Sequence, residues 1–259
     1  MLRKRIIFTL LYSDGYFMQS RNFRLQKVGN IDWLERNYKF KEISCSLDEI
    51  IVLDTTKKNK DIRKFASTIE KIVEGSFIPV AAGGGVNSLE DAELLFNSGA
   101  DKIVVNTALI ENPSFVRDLV IHYGSQSTVA SIDYRVINDN IEFYIKDGTS
   151  KVDLTFEEYL RYLSELGIGE VYLNSIDRDG TGFGYDFHLV SIVRKNLQVP
   201  IIIAGGAGNE NHLLEAIKNE SVSAAATANL FNFIGDGLPN ARKHIVELGE
   251  NLANWDVNK

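Results

Sequence analysis

The sequence predicts an α/β protein built as a single (β/α)8 TIM barrel, because eight short β-branched runs alternate with eight amphipathic stretches of helical length, and the pattern repeats half-way along the 259 residues. Strands are expected near Arg5–Leu11, Ile50–Asp54, Ile78–Ala82, Lys102–Asn106, Thr128–Asp133, Glu170–Ser175, Pro200–Gly205 and Ser223–Thr227. Several are apolar almost throughout, as strands covered on both faces are. Helices are expected near Trp33–Lys41, Asp61–Val73, Ser88–Asn97, Ser114–Tyr123, Thr155–Leu166, Phe187–Lys195, Asn211–Lys218 and Pro239–Leu252. Ser88-Leu89-Glu90-Asp91 and Thr155-Phe156-Glu157-Glu158 set a hydroxyl before an acid-rich first turn, a helix-start signal. Eight such pairs fill one closed barrel at this length, with an open doubly wound sheet as the alternative.

The internal repeat favours closure. Pro79–Gly85 returns as Pro200–Gly208, and an offset of 122 lays Gly83 on Gly205 and Gly84 on Gly206. Ile51–Asp54 likewise echoes Val171–Asp177. The chain therefore reads as one domain over 1–259, with half-barrels of about 1–123 and 124–259. Two connections run longer than the rest: Tyr12–Ile31, and Tyr134–Val152, whose Ile141–Ile145 alternation and Asp147-Gly148 suggest a hairpin. Both belong on the face at the strand C-termini, where barrel active sites are built.

Composition narrows the function classes. A formal net charge of −7 supplies no dense cationic surface for nucleic acid or an anionic bilayer, so neither is an expected partner. Cys45 is the lone cysteine and cannot close an internal disulfide. The apolar run Ile6–Leu11 is too short for a signal peptide, and no run approaches the roughly 18 apolar residues of a membrane span. A cytoplasmic location is expected. His122, His188, His212 and His244 fall in predicted helices without ligand-like spacing, so neither a metal site nor a cofactor is expected.

Gly83-Gly84-Gly85 and Gly205-Gly206-Ala207-Gly208 each follow a strand and precede a helix, where backbone N–H groups and the helix dipole can hold phosphate. Tight βα turns are the bland alternative, and neither cluster carries the lysine and hydroxyl of a P-loop. Two clusters at repeat-related positions fit a phosphorylated small molecule with two anionic ends. Asn106, Thr107, Ala228 and Asn229 at the companion strand ends would complete the two pockets. Asp133 ends the fifth strand, where its carboxylate could serve acid–base chemistry or simply cap the strand. The same offset carries Asp133 back to Leu11, which cannot transfer a proton. Asp177, Asp179 and Gly180, in the polar loop Ser175–Thr181, are further ligand candidates, although such a loop can also bond to itself, and Asp54 carries the same ambiguity. At the opposite strand ends stand Arg5, Glu49, Lys102 and Glu170. Pointing inward they would form a closed ring of salt bridges, and pointing outward, ordinary rim charges.

Lys4-Arg5-Ile6-Ile7, Gly83–Gly85, Gly99–Lys102, Asn106-Thr107, Ser175–Gly180 and Gly205–Gly208, taken together, resemble the cyclase subunit of imidazole glycerol phosphate synthase over nearly the whole chain. The resemblance implies a (β/α)8 barrel that takes ammonia from a glutaminase subunit docked at its floor and uses it at the top in a ring-forming lyase reaction. It also implies phosphate sites at the two glycine clusters, an ammonia gate formed by Arg5, Glu49, Lys102 and Glu170, and a partner-interface aspartate at Asp101. The departures fall on the chemistry. The family's first strand ends in a catalytic aspartate where this chain has Phe8-Thr9-Leu10-Leu11, and a loop-one lysine is replaced by Gln19. A threonine becomes Asn174 and a serine Ala204, while the second aspartate is kept as Asp133. Loss of an essential acid or base costs about 10²–10⁴-fold, which tells against cyclisation.

A kept ammonia gate with a broken acid–base pair resembles the divergent branch associated with sugar amidation. There a barrel and a glutaminase accompany an ATP-dependent N-acetyl-sugar amidotransferase that makes an acetamidino group during surface-polysaccharide synthesis. The resemblance thus implies an ammonia-channelling subunit, with a working histidine-pathway cyclase and a non-catalytic scaffold as the competing readings.

Overall fold

The structure, a computed structural model, describes residues 3–43, 46–74, 76–229 and 231–253; Cys45 lies outside them. In chain order the strands are β1 (Arg5–Ser13), β2 (Tyr16–Arg21), β3 (Arg24–Gly29), β4 (Glu49–Asp54), β5 (Val80–Gly83), β6 (Lys102–Val105), β7 (Thr128–Ile137), β8 (Asn140–Ile145), β9 (Ser150–Lys151), β10 (Glu170–Ser175), β11 (Ile201–Ala204) and β12 (Ala224–Thr227). The helices are α1 (Ile31–Tyr38), α2 (Phe40–Ile43), α3 (Ile62–Glu74), α4 (Leu89–Asn97), α5 (Thr107–Glu111), α6 (Pro113–Tyr123), α7 (Phe156–Leu166), α8 (Val190–Asn196), α9 (Glu210–Lys218) and α10 (Gly237–Glu247).

Among the described residues, eight of these strands pair in parallel in the order β1, β4, β5, β6, β7, β10, β11, β12, and β12 returns to β1. The sheet is closed, and the open-sheet alternative falls. Closure sorts side chains by strand period. Ile6, Phe8, Leu10 and Tyr12 of β1 pack outward against the helices, while Ile7 joins Ile51, Ala81, Val104, Val129, Tyr172, Ile202 and Ala224 in a separate cluster inside the barrel. The early run Ile6–Leu11 is thus a barrel stave bonded on both sides. No helix among the described residues is long and apolar enough to cross a membrane.

Local signals set most helix starts. The Ser88 side chain accepts from the Asp91 backbone N–H at 3.1 Å, and Thr155 with Glu158 forms a reciprocal capping box on α7. The helix expected over Trp33–Lys41 is broken instead at Lys39, whose φ of 47° separates α1 from α2. The helix expected at Phe187–Lys195 starts only at Val190, which leaves His188 in a turn, and the last helix stops at Glu247.

Both long connections form antiparallel extensions at the C-terminal face. The hairpin expected after the fifth stave forms as β7 continues to Ile137 and turns into β8. After β1 the chain builds a finger, β2–β3, that pairs back onto Leu11, Tyr12 and Ser13.

The repeat is real, but its register differs from the glycine alignment. β5 ends at Gly83 and β11 at Ala204, so these two share the last stave position. The residues beyond them, Gly84 and Gly85 in one half and Gly205 and Gly206 in the other, all have positive φ. Gly84 therefore corresponds to Gly205 in conformation, one residue away from the 122 offset.

Candidate functional site

The barrel's upper end holds a cavity of about 740 Å³ whose wall comes from nearly every stave. Gly84 and Gly85 line one side together with Asn106 and Thr107; Gly205 and Gly206 line the other together with Ala228 and Asn229. Glycine is demanded at Gly84 and Gly205: φ is +99° and +85°, and an added Cβ would come within 2.2 Å of the Asp54 carbonyl or 2.6 Å of the Ser175 carbonyl. With side chains excluded, the two turns that precede α4 and α9 border the cavity with their backbone, and turns ahead of helix N-termini are suited to anions. Gly83 and Gly208 do not line it. Gly83 packs inside β5, where an added Cβ would meet the Val104 carbonyl at 2.3 Å, and Gly208 abuts Gly182.

Asp133 stands at the cavity's base between two amides. Asn106 Nδ2 donates to its Oδ2 at 3.1 Å and Asn174 Nδ2 to its Oδ1 at 3.2 Å. Burial pushes the Asp133 carboxyl up to about 7, against the hydrogen bond from Asn174 and aided by the negative charges of Asp147 and Asp179. A carboxyl poised there exchanges its proton near neutral pH, as a general acid or base requires. Leu11 lines the same cavity from β1, so the repeat-related position presents only a hydrocarbon.

Asp179 lines the cavity but its carboxylate is committed. Its Oδ2 accepts from Ser20 Oγ at 2.5 Å and from the Phe23 backbone N–H at 3.0 Å, latching the β2–β3 finger to the loop after β10. Asp177 lies away from the cavity and accepts from the Val136 backbone N–H at 3.2 Å. Asp54 lines the wall while accepting from the Thr56 backbone N–H at 2.9 Å. Gln19, on the finger, also reaches the cavity. Among the described residues no cluster of three or more His, Cys, Asp or Glu side chains could hold a metal ion.

At the barrel floor the four charges turn inward and join. Arg5 Nη1 meets Glu49 Oε2 at 2.5 Å, and Arg5 Nη2 pairs with Glu170. Lys102 Nζ lies 3.0 Å from Glu49 Oε1 and 2.8 Å from Glu170 Oε2. Each carboxylate bridges both cations, so the ring is closed and compensated. Burial acts against ionised Glu170, yet Arg5 and Lys102 outweigh it and hold that carboxyl below its ordinary value. Asp101 sits beside the ring on the same face, solvent-exposed, with its Oδ2 accepting from the Val80 backbone N–H at 2.8 Å.

A family profile described as "Histidine biosynthesis protein" matches residues 6–235. The chain belongs to this family, in its HisF-like branch. Its relatives include a Parasynechococcus marenigrum protein carrying the provisional name imidazole glycerol phosphate synthase subunit hisF2, 45% identical over 99% of this chain and 96% of its own length. The imidazole glycerol phosphate synthase subunit HisF of Pyrobaculum aerophilum is 38% identical over 91% of both chains. That of Bacillus cereus strain AH187 is 35% identical over 96% of this chain and 99% of its own.

Several lining residues of this HisF-like barrel escaped sequence reasoning. Lys57, Lys60 and Lys146 stand on the side of the first glycine pair, with Lys60 Nζ donating to the carbonyls of Asp54 and Gly84 at 2.8 and 3.2 Å. The run Lys57-Lys58-Asn59-Lys60 after the second stave was the available signal. Thr9 and Tyr172 line the cavity's lower end with their hydroxyls 3.2 Å apart. Nothing local in the sequence marks that pair.

Proposed function

We propose that this HisF-like barrel is the ammonia-conducting subunit of a glutamine-dependent amidotransferase, with a separate glutaminase docked at the floor around Asp101. The observation that carries the reading is Leu11 facing the roof cavity with Asp133, above a closed ring of Arg5, Glu49, Lys102 and Glu170. A ring closure that moves protons on opposite sides of a ligand needs two titrating groups in differently tuned environments. This cavity offers one at those paired positions. The floor keeps what ammonia delivery requires: a polar, charge-compensated inlet that neutral ammonia can pass when one ion pair opens.

In this reading the nitrogen goes to an acetamido group on a surface-polysaccharide sugar, whose carbonyl an ATP-dependent N-acetyl-sugar amidotransferase activates. The barrel supplies ammonia, and its two glycine pockets hold a phosphorylated small molecule that registers the cavity's state. The chain then works in the cytoplasm, where nucleotide-activated sugars are made. Co-purification with the cognate glutaminase tests this: glutamine hydrolysis rises when the barrel is added, with no turnover of the imidazole precursor. Normal imidazole product from the complex overturns the reading.

The second reading is a working cyclase of imidazole glycerol phosphate synthase, favoured by the buried, amide-held Asp133 with its carboxyl near neutrality. Complementation of a histidine auxotroph by the unaltered gene decides for it.

A further inference from the structure

Three inward side chains of β10 stand one above another. Glu170 belongs to the floor ring, Tyr172 to the apolar belt above it, and Asn174 to the roof, where it holds Asp133. The belt's other apolar members are Ile7, Ile51, Ala81, Val104, Val129, Ile202, Ala204, Ala224 and Ala226, and Ser131 of β7 stands in register with Tyr172. A phenylalanine would fill the same space. A buried hydroxyl costs free energy unless it is bonded, so its presence calls for a partner. That partner is Thr9, on β1, with Oγ1 3.2 Å from the phenol oxygen. Two strands, β11 and β12, separate β10 from β1 along the wall, so the bond runs through the lumen. Arg5 and Glu170 bridge the same two strands at the floor. The axis is spanned twice, first by an ion pair and then by two neutral hydroxyls.

One bond between two hydroxyls leaves an O–H and several lone pairs unused. Both residues also line the cavity overhead, so that capacity is open from above. We propose that the Thr9–Tyr172 hydroxyl pair is a binding station for ammonia on the barrel axis, between the floor ring and the roof cavity. The proposal rests on the ammonia-conducting reading and supplies what that route lacks, a hydrogen-bonding stop in its apolar middle. Ammonia offers one lone pair and three N–H donors. The phenol donates to the lone pair, and Thr9 accepts an N–H. Burial raises the phenol's pKa well above its ordinary value, against the Thr9 hydrogen bond and with Asp133 and Asp179 adding to it, so the donor proton stays in place. Ammonium finds its counter-charges at Glu49 and Glu170 below and none in the belt itself.

The test uses the whole chain labelled with ¹³C at tyrosine Cζ, and the probe is ammonium chloride. The Tyr172 resonance is assigned by its loss in Tyr172→Phe. In alkaline buffer, where free ammonia is abundant, the resonance is expected to shift saturably with ammonia concentration. In acid buffer, where only ammonium is present, it should stay in place. Thr9→Val should weaken the apparent affinity by about two- to tenfold, the worth of one hydrogen bond, while Thr9→Ser retains it. A resonance that does not move, that drifts equally with potassium chloride, or that responds alike in acid overturns the station. The assay uses neither glutaminase nor imidazole precursor, so its failure leaves the proposed function to the co-purification experiment, and the converse holds.

Discussion

At the residue scale, the two halves of the barrel put different chemistry at the same place. Leu11 and Asp133 face one cavity, yet only Asp133 titrates, and its surroundings govern how. Folding raises this carboxyl from an ordinary 3.8 to about 7. A group whose folded pKa is raised favours the fold fully below the unfolded value and loses that contribution as pH climbs through the folded value. The protein is therefore expected to lose stability between about pH 4 and pH 7, by a few kcal/mol at roughly 1.4 kcal/mol per pKa unit. Asp133→Asn should flatten that segment of the profile. Urea denaturation at a series of pH values reads the slope directly, which matters because asparagine also turns one amide toward Asn106 or Asn174 unproductively and so changes the absolute stability. An unchanged slope in Asp133→Asn would mean that the carboxyl is already ionised throughout the range.

At the scale of elements, the staves were legible and the devices between them less so. Eight apolar runs could be read because a stave covered on both faces has a simple pattern, and α4 and α7 because their capping residues act locally. The β2–β3 finger has no such pattern. It is held at a distance, by Ser20 and the Phe23 N–H on Asp179 and by the Asn22 N–H on the Asp179 carbonyl at 2.9 Å. Asp179 consequently looked like a ligand group in the sequence and proves to be a latch as well as a wall residue. Gly180 completes the latch: its φ is +67°, and a Cβ there would sit 2.1 Å from the Ser20 carbonyl. Gly180→Ala is expected to push the finger off, and trypsin should then cut faster at the exposed Arg21, Arg24 and Lys27 while the barrel survives. Thr155→Ala is the matched control on another element. It removes the α7 cap for about 1 kcal/mol, seen as a lower urea midpoint, and leaves the finger's cutting rate unaltered.

Across the whole molecule the barrel separates two kinds of chemistry along one axis. The floor binds charge to charge, the roof holds one carboxyl between two side-chain amides, and the belt between them is apolar apart from the hydroxyls of Thr9, Ser131 and Tyr172. Charged residue types at four stave starts could be read in the sequence; the residues alone left inward and outward arrangements open, and only the family resemblance implied that they meet, since Arg5 and Glu170 are neighbours only after closure. Glu170→Ala leaves Arg5 and Lys102 with Glu49 alone, and breaking a buried pair in this way costs about 3–5 kcal/mol. Glu170 and Asn174 are four residues apart on β10, a rise of roughly 13 Å, beyond the distance at which substitutions usually couple. A double-mutant cycle of Glu170→Ala with Asp133→Asn, measured by urea denaturation at one pH, should therefore be additive to within about 0.5 kcal/mol. Coupling above about 1 kcal/mol would show that the hydroxyl crossbar transmits strain between the two ends, whereas additivity would mean that floor and roof are energetically independent sites.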